Sequence, residues 1–164
     1  MAMTFEKTPS GTRGARMPQK ANAFSRFMTK VLIGFHRRSG DRFQGMDLLY
    51  LTTVGAKSGE KRVHPVARIA DADGAWLVVA SAGGAARHPA WYHNIAAHPD
   101  QVWIEYGGKQ TRVIPEQLTG ERREEAWQRV VARVPRFGGY LTKTDRVLPV
   151  IRLVPAEGST PPAA

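Results

Sequence analysis

The first regular pattern of apolar residues lies between residues 22 and 40. Six apolar side chains occupy the i, i+3, i+4, i+7, i+8 and i+11 positions of a helix: Phe24, Phe27, Met28, Val31, Leu32 and Phe35. This spacing puts them on one face, while Arg26 and Lys30 fall outside it. The pattern predicts an amphipathic helix over residues 22–40 that stops at Gly40.

Beyond Met46 the period changes to that of β-strands. Six segments rich in aliphatic and β-branched residues follow: DLLYLTT (47–53), RVHPVARIA (62–70), AWLVVAS (75–81), QVWIEY (101–106), KQTRVIPEQL (109–118) and RVLPVIRLV (146–154). DADG at 71–74 and the pair Gly107–Gly108 separate neighbouring strands and are typical of hairpin turns. We therefore expect antiparallel pairing.

Two helices are predicted among these strands. Pro89 and Pro99 bound a short one, and Thr119 is a candidate N-cap for a longer one. A short irregular or helical segment follows at 135–144. Because strands and helices do not alternate, the order predicts a mainly β, α+β protein built on a small antiparallel barrel with peripheral helices.

The chain of 164 residues fits one domain with short appendages. Residues 1–21 lack periodicity and are predicted to form a disordered basic arm before the helix at 22–40. The barrel domain is expected over 46–155, and residues 156–164 are predicted to be a disordered tail.

Composition narrows the class of protein. The net charge is +10, and residues 1–45 carry nine Lys or Arg against two acids. The chain has no cysteine, which excludes disulfides, thiolate metal sites and a cysteine nucleophile. It has no apolar signal region and no run near the roughly 18 apolar residues of a membrane span. We expect a cytoplasmic protein, or one bound peripherally to the inner face of the cell membrane.

The amphipathic helix has two interpretations. Its apolar face could pack on the barrel, or it could lie on an anionic membrane surface with the basic arm beside it. Nucleic-acid binding through the arm is a weaker hypothesis, because aromatic residues at Phe24, Phe27 and Phe35 suit lipid or protein better than phosphates. We therefore expect no nucleic-acid partner.

Two glycine-bearing loops are candidate binding sites. The loop at 55–59 is not a P-loop, because Leu51 and Ala56 stand where that motif needs glycine. It is either a looser anion nest, with Lys57, Ser58 and Arg62 as donors, or an ordinary charged hairpin. The loop at 81–84 is either a turn or a close backbone approach to a flat ligand.

Other chemistries find little support. His88, His93 and His98 are spaced by five, so they do not share a helix face, and no metal site is expected. The chain also has no G-x-S-x-G nucleophile elbow.

Three stretches together resemble the deazaflavin-dependent nitroreductase family: LLYLTTVGAKSGEKRVHPV, VVASAGGAARHPAWYHNIAAHP and DRVLPVIRL. The similarity runs from about Asp47 to Val154. It implies a split, FMN-binding-like barrel that uses coenzyme F420 and transfers a hydride to a quinone-like, nitroaromatic or other conjugated acceptor. The alternatives are an FMN-dependent reductase of the same fold and a non-catalytic F420 carrier. In each case we expect a monomer or a homodimer.

The resemblance also implies site residues. The coenzyme-binding set is Ala56, Lys57, Ser58, Arg62, Val63, His64, Pro65, Val66, Ala67, Arg68, Ser81, Ala82, Gly83, Gly84, Ala90, Trp91, Tyr92, His93, Asn94 and Phe137. Ser81 and Tyr140 are the implied catalytic residues. Val134 and Phe137 stand where nitroimidazole-reducing relatives have tyrosines, which favours a quinone or another conjugated acceptor.

Overall fold

The computed structural model describes residues 5–17 and 23–157, with side chains from Arg26 onward in the first helix. The helices are α1 (Ala23–Arg38), α2 (Ala90–Ala97), α3 (Gly120–Arg133) and α4 (Arg136–Tyr140). The strands are β1 (Arg42–Phe43), β2 (Met46–Val54), β3 (Lys61–Ala67), β4 (Ile69–Ala70), β5 (Trp76–Val79), β6 (Trp103–Tyr106), β7 (Lys109–Gln117) and β8 (Val150–Pro155).

All named strands pair antiparallel in one curled sheet. Strand β2 pairs with β3 and with β6, and β7 changes partner from β6 to β8 after Arg112. Strand β5 lies between β8 and β4. Since β3 continues into β4 after Arg68, the pairings lead back to β2. The predicted mainly β split barrel is confirmed, as are the hairpins at 71–74 and 107–108.

Two predicted strands differ from the observed ones. The strand expected over 62–70 breaks at Arg68, because its first part pairs with β2 and its second part with β5. The last strand begins at Val150 rather than Arg146. Arg146 is buried and bonds to backbone carbonyls, and Pro149 has no N–H for a ladder.

Apolar side chains form two clusters on opposite sides of the sheet. The cluster inside the barrel includes Leu49, Leu51 and Ile151 with Tyr92 of α2. The second packs α3 and α4 against the outer face of β5 and β8 through residues such as Trp127, Val130, Phe137, Leu77 and Val150. Helices α2 and α4 thereby have fixed positions beside the barrel, which matters for the site below.

The apolar face of α1 points mostly away from the barrel. Phe27 is 62% exposed and Phe35 is 69% exposed, and Met28, Val31 and Leu32 are also exposed. The helix instead buries Ile33 and His36. The interpretation that this apolar stripe packs on the barrel is therefore wrong for the side chains described. Among the described residues, no helix is long and apolar enough to cross a membrane.

Residues 5–17, called the strap below, lie along the barrel and differ from the disordered arm expected there. Gly11 N–H donates to the Ala86 carbonyl at 2.8 Å, and Ala15 N–H donates to the Gly84 carbonyl at 2.9 Å. The strap is held by main-chain hydrogen bonds. It has no periodic pattern of apolar residues from which its order could be predicted. The rest of the predicted arm (1–4 and 18–21) and positions 158–164 of the predicted tail lie outside the described residues.

Candidate functional site

Two neighbouring cavities lie between α1, β3 and α2. The larger has a volume of about 1120 Å³ and the smaller about 320 Å³. The first half of β3, Arg62 to His64, lines the larger cavity, and Pro65 to Ala67 line the smaller one. Residues of α1 and α2 likewise divide between the two. The cavities are therefore two compartments of one trough.

The described lining of the larger cavity is strongly basic. Its described lining contains no Asp or Glu, and it contains six Lys or Arg side chains: Lys7, Arg26, Lys30, Lys57, Lys61 and Arg62. Such a concentration of one sign attracts a polyanion. Arg62 is partly neutralised by Glu60, which lies 2.6 Å away just outside the lining.

The loop at 55–59 receives its shape from α2. Asn94 Oδ1 accepts the Ala56 N–H at 3.0 Å, and Asn94 Nδ2 donates to Thr53 Oγ1 at 3.1 Å. The N–H groups of Gly55 and Gly59 are bonded within the loop and its flanks, to the carbonyls of Glu60 and Gly55. Three amides of the predicted nest are thus already bonded, and the loop offers an anion chiefly its Lys57 and Ser58 side chains.

Two histidines of the larger cavity stay neutral near pH 7. Burial, with the Arg62 charge, lowers the pKa of His64. Burial, with the Lys7 charge, lowers the pKa of His93. The positive charge of this compartment therefore belongs to its lysines and arginines, and it does not change over the ordinary pH range.

The smaller cavity is apolar and aromatic. Phe137 and Tyr140 meet edge to face with ring centroids 5.6 Å apart, and Trp91, Val66 and Leu48 form other walls. No Lys, Arg, Asp or Glu belongs to its described lining. Its size and its aromatic walls suit a flat ring.

The loop at 81–84 closes one side of the smaller cavity through strained backbone. Ala82 has φ 46°, and Gly83 and Gly84 also have positive φ. A Cβ on Gly83 would meet no atom within 4 Å, so this backbone borders open space. A non-glycine residue in the left-handed region costs about 1 kcal/mol and is found where a site imposes it.

The structure brings most of the implied site residues into the trough. Nine line the larger cavity: Ala56, Lys57, Ser58, Arg62, Val63, His64, Ala90, His93 and Asn94. Nine line the smaller: Pro65, Val66, Ala67, Ser81, Ala82, Gly83, Trp91, Phe137 and Tyr140.

Three of the implied residues lie elsewhere. Arg68 lies against the rings of Trp76 and Tyr106 beside a different cavity. Tyr92 is buried in the barrel core, and a Cβ on Gly84 would contact Lys143 and Tyr140. For these three, packing accounts for the residue type.

Sequence reasoning missed the contributions of the strap and α1. Phe5 and Lys7 of the strap, and Arg26 and Lys30 of α1, line the larger cavity. His36 of α1 lines the smaller one. The concentration of basic residues before Gly45 could have indicated an anion-binding wall, but the sequence pattern alone favoured a free basic arm.

A split barrel with an anion-binding compartment joined to an aromatic one defines a protein that holds an extended anionic molecule with a flat end. The family model of F420H(2)-dependent quinone reductases matches residues 24–155. The chain belongs to this family and is an oxidoreductase whose coenzyme is F420. The resemblance drawn from the sequence motifs is confirmed.

Individual relatives agree with the family. An F420H(2)-dependent quinone reductase of Mycobacterium tuberculosis H37Rv is 37% identical over 124 residues, or 73% of this chain and 82% of that protein. A solved F420-H2 dependent reductase, FDR-A, is 40% identical, with TM-score 0.58 over 65% of this chain and 92% of its own. A structure described as a domain-swapped dimer is 35% identical, with TM-score 0.60 over 79% and 96%.

The trough fits this coenzyme. Coenzyme F420 carries a phosphodiester and a polyglutamate tail on one side of a flat deazaflavin ring. The larger cavity supplies lysines that form no ion pair with any described residue for the anionic part, and the smaller one supplies aromatic walls for the ring. The two compartments adjoin along β3, where His64 lines the larger and Pro65 the smaller, so the walls suited to the tail and to the ring lie side by side.

Proposed function

We propose that the chain reduces a quinone or a similarly conjugated electrophile at the smaller cavity, with reduced coenzyme F420 bound along the trough. The observation that carries this proposal is the division of charge: six Lys or Arg side chains line the larger compartment, and none belongs to the described lining of the smaller. The same division would place the anionic tail of the coenzyme in the larger compartment. It would place the flat ring and a neutral acceptor in the smaller one.

The coenzyme, when bound, supplies a hydride. The chain's part is to orient and to exclude water. Lys57 and Arg62 hold the phosphate region, and Trp91 and Phe137 enclose the ring. Ser81 and Tyr140 contact the ring or the acceptor and stabilise developing charge there.

A lipophilic quinone suits the surroundings of the smaller cavity better than a nitroimidazole. Leu32 lines the cavity and also belongs to the exposed apolar face of α1. An acceptor dissolved in lipid could reach the cavity along that face if α1 lies on the membrane. Phe137 in the cavity lining has no hydroxyl to orient a nitro group, and Val134 lies in the apolar cluster that also contains Phe137.

Calorimetric titration with coenzyme F420, with FMN in parallel, tests the coenzyme site. The Lys57→Ala/Arg62→Ala variant should bind F420 about a hundredfold more weakly, because two charge-assisted contacts are lost. The control is Lys109→Ala/Arg122→Ala, which removes equal charge from exposed positions outside the trough. Tighter binding of FMN would overturn the coenzyme assignment and keep the barrel.

Turnover separates an enzyme from a carrier. The loaded protein should reduce menadione faster than it reduces a nitroimidazole. Tight coenzyme binding with no reduction of any quinone would favour the non-catalytic carrier. Gel filtration on the same sample distinguishes a monomer from a homodimer.

Membrane association is tested by flotation with anionic liposomes. Phe27→Ser/Phe35→Ser should reduce flotation strongly, because both side chains are exposed on α1. Val147→Ser/Ile114→Ser removes exposed apolar side chains elsewhere and serves as the control. Equal flotation of both variants would contradict a membrane-facing helix. Point variants are preferred to a deletion of residues 1–40, which would also remove the strap.

A further inference from the structure

A third cavity, called the end cavity below, lies at the other end of the barrel from the larger cavity. Its volume is about 510 Å³, a size that suits a small molecule. Asp47, near the start of β2, belongs to its lining, whereas the loop at 55–59, which follows the end of β2, lines the larger cavity. The described lining residues of the end cavity line neither cavity of the trough. The end cavity is therefore a separate site.

Arg68 lines the end cavity, and its guanidinium lies against two aromatic rings. Its Cζ is 5.0 Å from the centre of the Trp76 ring and 4.3 Å from the centre of the Tyr106 ring. The two rings themselves meet edge to face, with centroids 5.2 Å apart. Stacking of this kind uses the flat face of a guanidinium and holds the group in place. It does not use the N–H groups at the edge of the guanidinium.

The N–H edge of Arg68 has no partner within the described part of the chain. Nε is buried and makes no hydrogen bond there. Nη1 and Nη2 make no hydrogen bond or ion pair there either, and unlike Nε they keep accessible surface. A guanidinium that is fixed by stacking, with its terminal N–H groups open to a cavity, matches the two oxygens of a carboxylate.

Two acids in the lining of the end cavity already have partners. Glu105 forms an ion pair with Arg37 at 2.7 Å. Asp41 accepts the Gly107 N–H at 2.9 Å, and this bond ties the turn after α1 to the hairpin at 107–108. Asp41 itself has φ 56°, a strained backbone for a non-glycine residue. These walls of the cavity are therefore fixed, and neither acid serves Arg68 as a partner.

The third acid of the lining, Asp47, is shared among several arginines. It forms an ion pair with Arg42 at 2.9 Å and lies 3.3 Å from Arg133. The hydrogen bond from Arg42 is the main cause that lowers the pKa of Asp47, and the charges of Arg68 and Arg133 add to it. With Arg37 included, four arginines accompany the three acids, and one positive charge is left without a counterpart.

We propose that the end cavity binds a small organic monocarboxylate, whose two oxygens accept from the terminal N–H groups of Arg68. One negative charge matches the one positive charge left over, whereas the three acids would repel the second charge of a phosphate monoester. Gly40, Gly107 and Gly108 line the cavity, and a Cβ on any of them would meet no atom within 4 Å. A flat ring therefore has room beside their backbone. The site involves neither the coenzyme nor its acceptor, so the inference goes beyond the proposed function.

The first test is a titration of ¹⁵N-labelled protein with benzoate, followed by NMR at the indole N–H signals of the tryptophans. Trp76 lines the end cavity and Trp91 lines the smaller cavity, so the two signals distinguish the sites. We expect a saturable shift of the Trp76 signal at millimolar benzoate. We expect no shift with benzamide, which has a similar shape and no charge. An unmoved Trp76 signal, or an equal response to benzamide, would overturn the proposal.

The second test removes the N–H edge and keeps an unbranched side chain against the rings. Arg68→Met should weaken benzoate binding about tenfold or more, because two charge-assisted hydrogen bonds are lost. Arg68→Lys keeps the charge without the planar fork and should fall between Arg68→Met and the wild type, and it serves as the test variant if Arg68→Met does not fold. Arg122→Gln, which removes a charge from the surface, should bind benzoate as the wild type does. Wild-type affinity in Arg68→Met would overturn the proposal.

Two further comparisons test the class of ligand and the independence of the site. Phenyl phosphate should bind more weakly than benzoate, and tighter binding of phenyl phosphate would overturn the monocarboxylate assignment. The Lys57→Ala/Arg62→Ala variant should bind benzoate as the wild type does while it loses affinity for F420. Loss of benzoate binding in that variant would place benzoate in the trough and overturn the end-cavity site, whatever the result for the coenzyme.

Discussion

Arg146 donates a hydrogen bond to Nδ1 of His88 over 2.8 Å, and this pair links the strap, at Thr8, to the loop at 81–84, at Ser81. The buried guanidinium also donates to the carbonyls of Ala80, Ser81 and Ala85. Because Nδ1 accepts, the proton lies on Nε2, which donates to the Thr8 carbonyl at 2.7 Å. Burial, with the Arg146 charge, lowers the pKa of His88 and favours this neutral form.

Arg146→Gln should therefore destabilise the protein and loosen the loop at 81–84. A shorter amide cannot reach three carbonyls, and each buried acceptor left unpaired carries a penalty. We expect a loss of about 3 kcal/mol in the free energy of unfolding, measured by urea denaturation, and at least tenfold weaker coenzyme binding.

Arg122→Gln is the matched control for this prediction. Arg122 is exposed and pairs with Glu116 on the surface, so its loss should change stability by less than about 1 kcal/mol. Equal losses of unfolding free energy in the two variants would show that burial does not determine how much Arg146 contributes to stability.

A close approach at Gly14 should make that glycine indispensable to the strap. A Cβ there would lie 2.5 Å from the carbonyl carbon of Ala85 and 2.7 Å from the carbonyl oxygen of Gly84. Gly14→Ala should detach the strap, withdraw Lys7 from the larger cavity and weaken coenzyme binding. Trypsin should then cut at Arg13 and Arg16 early in a digestion followed by mass spectrometry.

Gly34→Ala provides the comparison. Gly34 lies in α1, and a Cβ there meets nothing within 4 Å. This variant should keep the strap protected from trypsin. Rapid cleavage of both variants, or of neither, would contradict the close-approach argument.

The strap should also respond to acid. The Asp145 carboxylate accepts from the Thr12 hydroxyl and from the Thr12 and Arg13 N–H groups, and these bonds lower its pKa to about 2. A lowered acid pKa stabilises the docked strap above the ordinary value of 3.8, and this contribution is lost as pH falls through about 2.

Hydrogen exchange of the strap amides can measure this dependence. Protection of Thr12 and Arg13 should persist at pH 4 and fall as the carboxylate is protonated. Asp145→Asn should lower protection at neutral pH, and Asp100→Asn, an exposed residue outside the strap, should not. Protection independent of pH in the wild type would count against Asp145 as the anchor.

Much of the barrel follows from local sequence because each hairpin carries its own turn chemistry. Gly107 and Gly108 both have positive φ, as their turn requires, and the flanking strands pair as expected. The break at Arg68 did not follow, because a strand that changes partner has the same apolar pattern as one that does not. The order of the strap was not predicted for a related reason. It depends on backbone hydrogen bonds and close-packed glycines, and these produce no periodic pattern of apolar residues.

The site divides in the same way. The residues taken from the two motifs fall almost wholly within one trough, since motif spacing encodes their positions on β3 and α2. The roles of Lys30 and His36 as lining residues could not be predicted from the sequence, because α1 is placed beside the trough only by tertiary packing. The pattern of α1 located its apolar face but left open whether that face packs on the barrel or is exposed, because tertiary packing decides between the two.

Asn94 offers the sharpest test of how the barrel shapes the loop at 55–59. Its amide accepts from Ala56 N–H and donates to Thr53 Oγ1, so it links the loop to β2. Asn94→Ala should weaken F420 binding roughly tenfold, or about 1.4 kcal/mol, because the loop loses its fixed shape. Thr53→Val removes only the second bond and should have a smaller effect. The two losses should not add in the double variant, since both act through one side chain. Calorimetry on the four proteins measures this coupling, and additive losses would mean that Asn94 contacts the coenzyme directly and does not act through the loop.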